Sequence, residues 1–249
     1  MKNSRLTLNV LLKIVFILSA FQGIKAQNNK DEVLYNWFDH QLGGENLAVN
    51  NGTLHLNYDR TVDNEHRYFN SNKFSKGQVT YDGQTYSDVN LKYDILKDVL
   101  VLNPTGENEN LGVELIKENV ADFKINGRKF INFNLKKILP VDYSEGYYEE
   151  AINGNKFIFY IKHNKKSIQI IRNEFALMSY DIRDEFVVYS KNTFTKINSK
   201  RDIIKLFPNY KDKINDFYLM NKKVAKEDKA QFMENLMKHI NQLLPNESN

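Results

Sequence analysis

The chain contains no cysteine, and its 249 residues hold only four prolines, 11 glycines and a single tryptophan. Without cysteine there is no disulfide, no thiolate nucleophile, no Cys-ligated metal site and no thiol for a lipid anchor. Long apolar runs are missing too. The longest uncharged stretch near the start, Ile14 to Ile24, falls well short of the roughly 20 residues that a membrane-spanning helix needs. No G-x-S-x-G elbow, P-loop or G-x-G-x-x-G turn occurs, and no H-E-x-x-H pair sets two imidazoles beside a metal. No cofactor and no metal is expected.

What is present begins with a leader-like segment. Lys2 and Arg5 precede an apolar stretch from Leu6 to Phe21, and Ala26 supplies a small residue before Gln27. This pattern predicts a signal peptide over 1–26 and an exported chain, periplasmic or outer-envelope associated, starting at Gln27. Export also changes the meaning of the charge. The 35 Lys and Arg residues include Lys2, Arg5, Lys13 and Lys25, so removing these four leaves 31 against 31 Asp and Glu. A near-neutral body gives no field to attract nucleic acid.

Cutting 26 residues from 249 leaves 223, enough to bury a core as one unit. Residues 27–42 place Val33, Leu34, Trp37 and Phe38 at helical spacing, and Gly43-Gly44 stops the run. From Asn51 to about Ile197 the chain turns to short runs of Val, Ile, Tyr, Phe and Thr. Three dipeptides, Asp82-Gly83, Asn126-Gly127 and Asn153-Gly154, supply the positive φ angles that tight hairpins require. Val89, Leu91 and Tyr93 alternate with Asn90, Lys92 and Asp94, as in a half-solvated strand, and Val99 to Leu102 is apolar on both faces.

After Ile197 the period becomes helical. Ser199 and Asp202 form a capping-box-like start, Pro208 ends the first helix, and further helices are expected over 210–220 and 226–244. Phe232, Leu236, Ile240 and Leu243 form one stripe, expected to pack on the sheet. The fold class is therefore α+β. It is mainly antiparallel β, as a meander, sandwich or partly open barrel, in a single β-rich domain over 27–249 with a helical subregion at 199–244.

Candidate site residues are few. His55 and His66 are the nearest of the five histidines, with Asp59, Asp63 and Glu65 as possible carboxylate partners across neighbouring strands. Tyr143, Tyr147 and Tyr148 flank Ser144-Glu145-Gly146, where a glycine beside aromatics would form a recognition tip on a loop. Glu149-Glu150 and the Asp181/Asp184 pair resemble acid pairs, but neighbours on a strand point to opposite faces, and solvated charge is the plainer expectation.

The stretches Lys76–Tyr86, Val89–Asp94 and Asp98–Leu102 resemble a recurrent block in uncharacterised exported proteins of Bacteroidetes-type bacteria. Ser199–Phe207 and the segment running on to Leu243 are similar to the helical end of those proteins, so that about half of the mature chain is covered. The resemblance implies the same compartment and a β-then-helix order, and it carries over no catalytic residue. Together these features point to a non-enzymatic envelope module that binds an envelope protein or a glycan, with an exported hydrolase of glycan or peptide as the alternative.

Overall fold

A computed structural model describes residues 52–104, 112–136 and 143–245. The predicted leader 1–26 and the helix predicted over 27–42, with Trp37, lie outside them. Numbered along the chain, the strands are β1 (Gly52–Leu54), β2 (Ser75–Tyr81), β3 (Gln84–Asp94), β4 (Val99–Asn103), β5 (Val113–Leu115), β6 (Val120–Ile125), β7 (Arg128–Asn132), β8 (Tyr147–Asn153), β9 (Ile158–Lys162), β10 (Lys165–Arg172), β11 (Phe175–Ile182), β12 (Glu185–Ser190) and β13 (Thr193–Lys196). Eleven of them form one antiparallel sheet in the order β1-β5-β4-β3-β2-β6-β7-β8-β9-β12-β13, and β10-β11 form a separate hairpin. Two meanders, β2 to β5 and β6 to β9, are thus joined where β2 pairs with β6. Its edge strands β1 and β13 do not pair with each other, so the sheet is not a closed barrel.

Turn chemistry places these strands. Asp82 and Gly83 have φ of 51° and 81°, and Asn126 and Gly127 have 52° and 72°, the doubly left-handed geometry of the two-residue hairpins β2-β3 and β6-β7. The third expected hairpin forms differently. Asn153 pairs with Ile158 across a longer loop closed by the Gly154 amide donating to the Phe157 carbonyl, and Gly154 is not left-handed. Its lack of a side chain serves instead a close approach to Asn241, whose Oδ1 would lie 2.2 Å from an added Cβ.

Two tight hairpins have no glycine to announce them. Asn173-Glu174 joins β10 to β11, and Lys191-Asn192 joins β12 to β13, all four at positive φ. The Cβ of any non-glycine residue in that region costs roughly 1–2 kcal/mol. Lys191→Gly is therefore expected to stabilise the protein by about 0.5–1 kcal/mol, once the greater freedom of an unfolded glycine is subtracted. A urea titration would show it as a higher midpoint at unchanged slope, and a lower midpoint would mean that Lys191 is not strained.

The helical end follows its predicted signals closely. The Asp202 carboxylate accepts from the Ser199 amide and hydroxyl at the start of α1 (Lys200–Leu206), and Pro208 follows its end. Next come α2 (Lys211–Met220), the unanticipated short α3 (Lys222–Glu227), and α4 (Lys229–Leu243). Asp228 caps α4 by accepting from the Gln231 amide at 2.8 Å. Phe232, Leu236 and Ile240 pack onto Phe159, Ile161, Phe186 and Val188 of β9 and β12 as expected, while the fourth position of the stripe, Leu243, is not part of this core and Leu244 packs against it instead. A second packed region is aromatic. Phe123 and Phe130 stack across the β6-β7 pair at 4.7 Å, and Tyr93 and Tyr147 meet them edge-on.

Candidate functional site

The candidate site is built on a long irregular cover. Residues 55–74 contain only isolated bridges at Thr61 and Tyr68, yet they run antiparallel beside the end of β3 at Tyr68 and are tied to it there. The Phe69 amide donates to the Tyr93 carbonyl at 2.8 Å, and the Ile95 amide donates to the Arg67 carbonyl at 3.2 Å. Phe69 then lies edge-on to Phe130 at 5.1 Å, which anchors the cover in the aromatic core.

This cover overturns the picture of β3 as half-solvated. Lys92 and Asp94, expected to face water, are buried beneath it. Asp94 is fully enclosed and pairs with Arg67 Nε at 2.7 Å, while Arg67 also donates to Asp59 at 3.2 Å. Burial, opposed by two backbone amides and by Arg67, pushes the Asp94 carboxyl up. The Lys92 amine donates to the Asn72 carbonyl and lies 4.6 Å and 4.2 Å from the ring centres of Tyr68 and Phe74.

Between the cover and the sheet opens a cleft of about 580 Å³, lined by His55, His66, Asp59, Glu65, Tyr68 and Lys92 among others. The two histidines chosen from the sequence therefore do meet, although on an irregular segment and not on paired strands. Tyr68 stands between them. Its hydroxyl is 2.9 Å from His55 Nε2, and its ring stacks on His66 at 6.3 Å. His55 Nδ1 lies 2.8 Å from Glu114 Oε1 on β5. An ionised carboxylate only accepts, so Nδ1 carries the proton that His55 donates to Glu114. Burial works to raise Glu114, but hydrogen bonds from Lys97 and His55 outweigh it and hold the carboxyl below its usual range. Burial, with the charge of Asp94 added, pushes the Tyr68 phenol up to about 12.

The other polar groups divide sharply. Asp59 accepts from Arg67 and from the Tyr180 hydroxyl, and Glu65 accepts from the Ser179 hydroxyl and the Tyr180 amide, so both carboxylates tie the cover to β11. Asp63 is exposed at the rim with Arg172. His66 differs, because its Nδ1 is buried without a hydrogen-bond partner. Burial first, then the Lys165 amine, hold its imidazole below the ordinary value and hence neutral.

The tyrosines lie elsewhere. Tyr147 and Tyr148, expected on an exposed tip, are fully buried in β8, because a strand, not a loop, begins directly after Gly146. Tyr143 is half-buried against Ile131, Phe133, Tyr148 and Tyr160. Gly146, at φ 108°, has its own structural reason: an added Cβ would fall 1.7 Å from Asp98 Oδ2. That carboxylate sits among Tyr93, Lys117 and Lys162.

One charged cluster gave no sign of itself in the sequence. His163 Nε2 lies 2.6 Å from Glu149, and its Nδ1 lies 3.5 Å from Asp184. Arg128 bridges Glu149 at 2.9 Å to Glu234 of α4 at 2.7 Å. Glu149, expected in solvent, is thus buried in a network that fastens sheet to helix.

Among the described residues no group of three or more His, Asp and Glu side chains is arranged to hold a metal ion, and no helix is long and apolar enough to cross a membrane. Compared with known proteins, the chain matches no family model, no curated protein and no solved structure.

Proposed function

We propose that this chain is an exported, non-enzymatic binding protein of the cell envelope whose cleft beneath residues 55–74 takes a hydroxyl-bearing ligand of the glycan class. The observation that carries the proposal is the convergence of His66, Asn57, Asn72 and the Phe74 ring on one cleft of about 580 Å³. The half-buried Phe74 adds ring surface for the apolar face of a sugar. Export rests on the charge and hydropathy pattern of residues 1–26.

The experiment is calorimetric titration of the chain starting at Gln27 with soluble envelope glycan fragments. His66→Ala is expected to weaken binding at least tenfold with little change in melting temperature, because the ring lines the cleft and is only partly buried. Absence of any heat with every fragment class would refute the proposal.

An exported hydrolase is the second reading, favoured by the convergence of His55 and His66 in one cleft. Both ring nitrogens of His55 are occupied, and Asp59 and Glu65 are held by structural donors, which leaves the neutral His66 imidazole as the base such a reaction would use. Product formation during the same titration would decide for hydrolysis.

A further inference from the structure

The β10-β11 hairpin belongs to neither the main sheet nor the cleft's walls as a whole. β11 is paired on both sides: with β10 along all eight residues, and around Met178 with the cover, where the Met178 amide donates to Arg60 and its carbonyl accepts from Val62. Strand β10 has no second strand partner among the described residues. In a two-residue hairpin the residues flanking the turn, Arg172 and Phe175, exchange hydrogen bonds. Alternation along β10 then turns the backbone groups of Ser167, Gln169 and Ile171 outward.

The side chains of this strand follow a definite pattern. Lys166, Ile168, Ile170 and Arg172 share one face, with a cation at each end and apolar residues between. Ile168 is 44% exposed, and Phe175, opposite Arg172 on the same face, is 59% exposed. Strand β10 carries Lys165, Lys166 and Arg172 and no acid. Asp181, opposite Lys166, is taken by Arg183 at 2.5 Å. A second copy of β10 would therefore bring cations against cations, which opposes self-pairing.

We propose that the free edge of β10 is a docking site for an extended acidic peptide segment added as a further strand. Its ligand places an acid, two apolar residues and a second acid at alternate positions, which meet Lys166, Ile168, Ile170 and Arg172 in turn. That order reads the same in both directions, so parallel and antiparallel addition satisfy the same pairs. Backbone bonds to Ser167, Gln169 and Ile171 supply attraction, and the end charges select the sequence.

The test uses the chain from Gln27 and the labelled peptide Glu-Thr-Val-Thr-Val-Thr-Glu, with Lys-Thr-Val-Thr-Val-Thr-Lys as its counterpart, read by fluorescence anisotropy. The acidic peptide is expected to bind at least tenfold more tightly than the basic one at low salt, with the difference shrinking as salt rises. In the variant Lys166→Glu with Arg172→Glu the preference should invert. Both residues are solvent-facing, so folding should survive, and a circular dichroism spectrum matching the parent would establish that. An unchanged preference in the variant would overturn the proposal, as would failure of both peptides to bind. A dimer lost on charge reversal would overturn it too, since the edge would then serve a second copy. His66→Ala should leave peptide binding untouched, which separates this site from the cleft.

Discussion

Arg67→Met is expected to destabilise the protein by about 3–5 kcal/mol, the largest loss from any single charged side chain in the cover. Arg67 is the guanidinium that compensates Asp94, and Asp94 is fully enclosed. Removing one member of a buried pair leaves the other charge unmatched, which costs far more than the net worth of the pair. The Asp94 carboxyl is already pushed up by burial, and the variant would push it further. A carboxyl raised in the folded state prefers its protonated form there, so the deficit should be smallest below the ordinary carboxylate range and should grow as pH rises through the raised folded value. Urea unfolding at pH 4.5 and pH 8 measures this. The double variant with Asp94→Asn should recover much of the loss, because a neutral amide leaves no unmatched charge and keeps its Oδ1 as acceptor for the Leu96 and Lys97 amides. A loss below about 1 kcal/mol at pH 8 would show that the cover is held by Phe69 and backbone bonds alone.

The same cover explains why the site was only half visible beforehand. Periodicity reports which face of a strand is apolar, and on β3 it assigned Lys92 and Asp94 to water because nothing in residues 55–74 has the period of a strand or a helix. An irregular segment can bury a polar face when it supplies matched donors, as Arg67 does for Asp94. That match depends on sequence-distant partners that no local pattern encodes. His55 and His66 were found through residue type, but Glu114 and Tyr68, which fix them, come from β5 and from a bridge residue. Tyr147 and Tyr148 show the opposite failure. Two adjacent tyrosines after a glycine look like a loop tip, yet they start a strand walled on both faces. The hairpins and helices were more legible, because Asp-Gly, Asn-Gly and the Ser199/Asp202 cap are local chemistry. Where a left-handed turn used Glu174 or Lys191 instead of glycine, that signal vanished. Local rules fail here where the chain buries charge under an irregular segment and where a left-handed turn lacks glycine.

The buried network at His163 supplies the second large effect. Burial alone would lower the imidazole, but hydrogen bonds and charge from Asp184 and Glu149 override it and raise the ring to about 9. An unfolded histidine titrates near 6.5, so the folded protein binds this proton more tightly than the unfolded chain. The resulting stability, on the order of 3 kcal/mol, is fully present below about pH 6.5 and is lost as pH rises through about 9. Because lysines and tyrosines also titrate in alkali, the quantity to measure is the stability difference between the parent and His163→Gln at each pH. That difference should be largest at pH 6 and should shrink by most of its value at pH 10. Glu149 loses its cationic imidazole partner in the variant but keeps Arg128, whose guanidinium is itself held charged by Glu234 and Glu149. The α4 contact should therefore survive, and tryptic cleavage within α4 should stay slow below neutrality. A difference that stays flat from pH 6 to pH 10 would mean that His163 is neutral in the folded protein, and that Arg128 alone balances the buried Glu149.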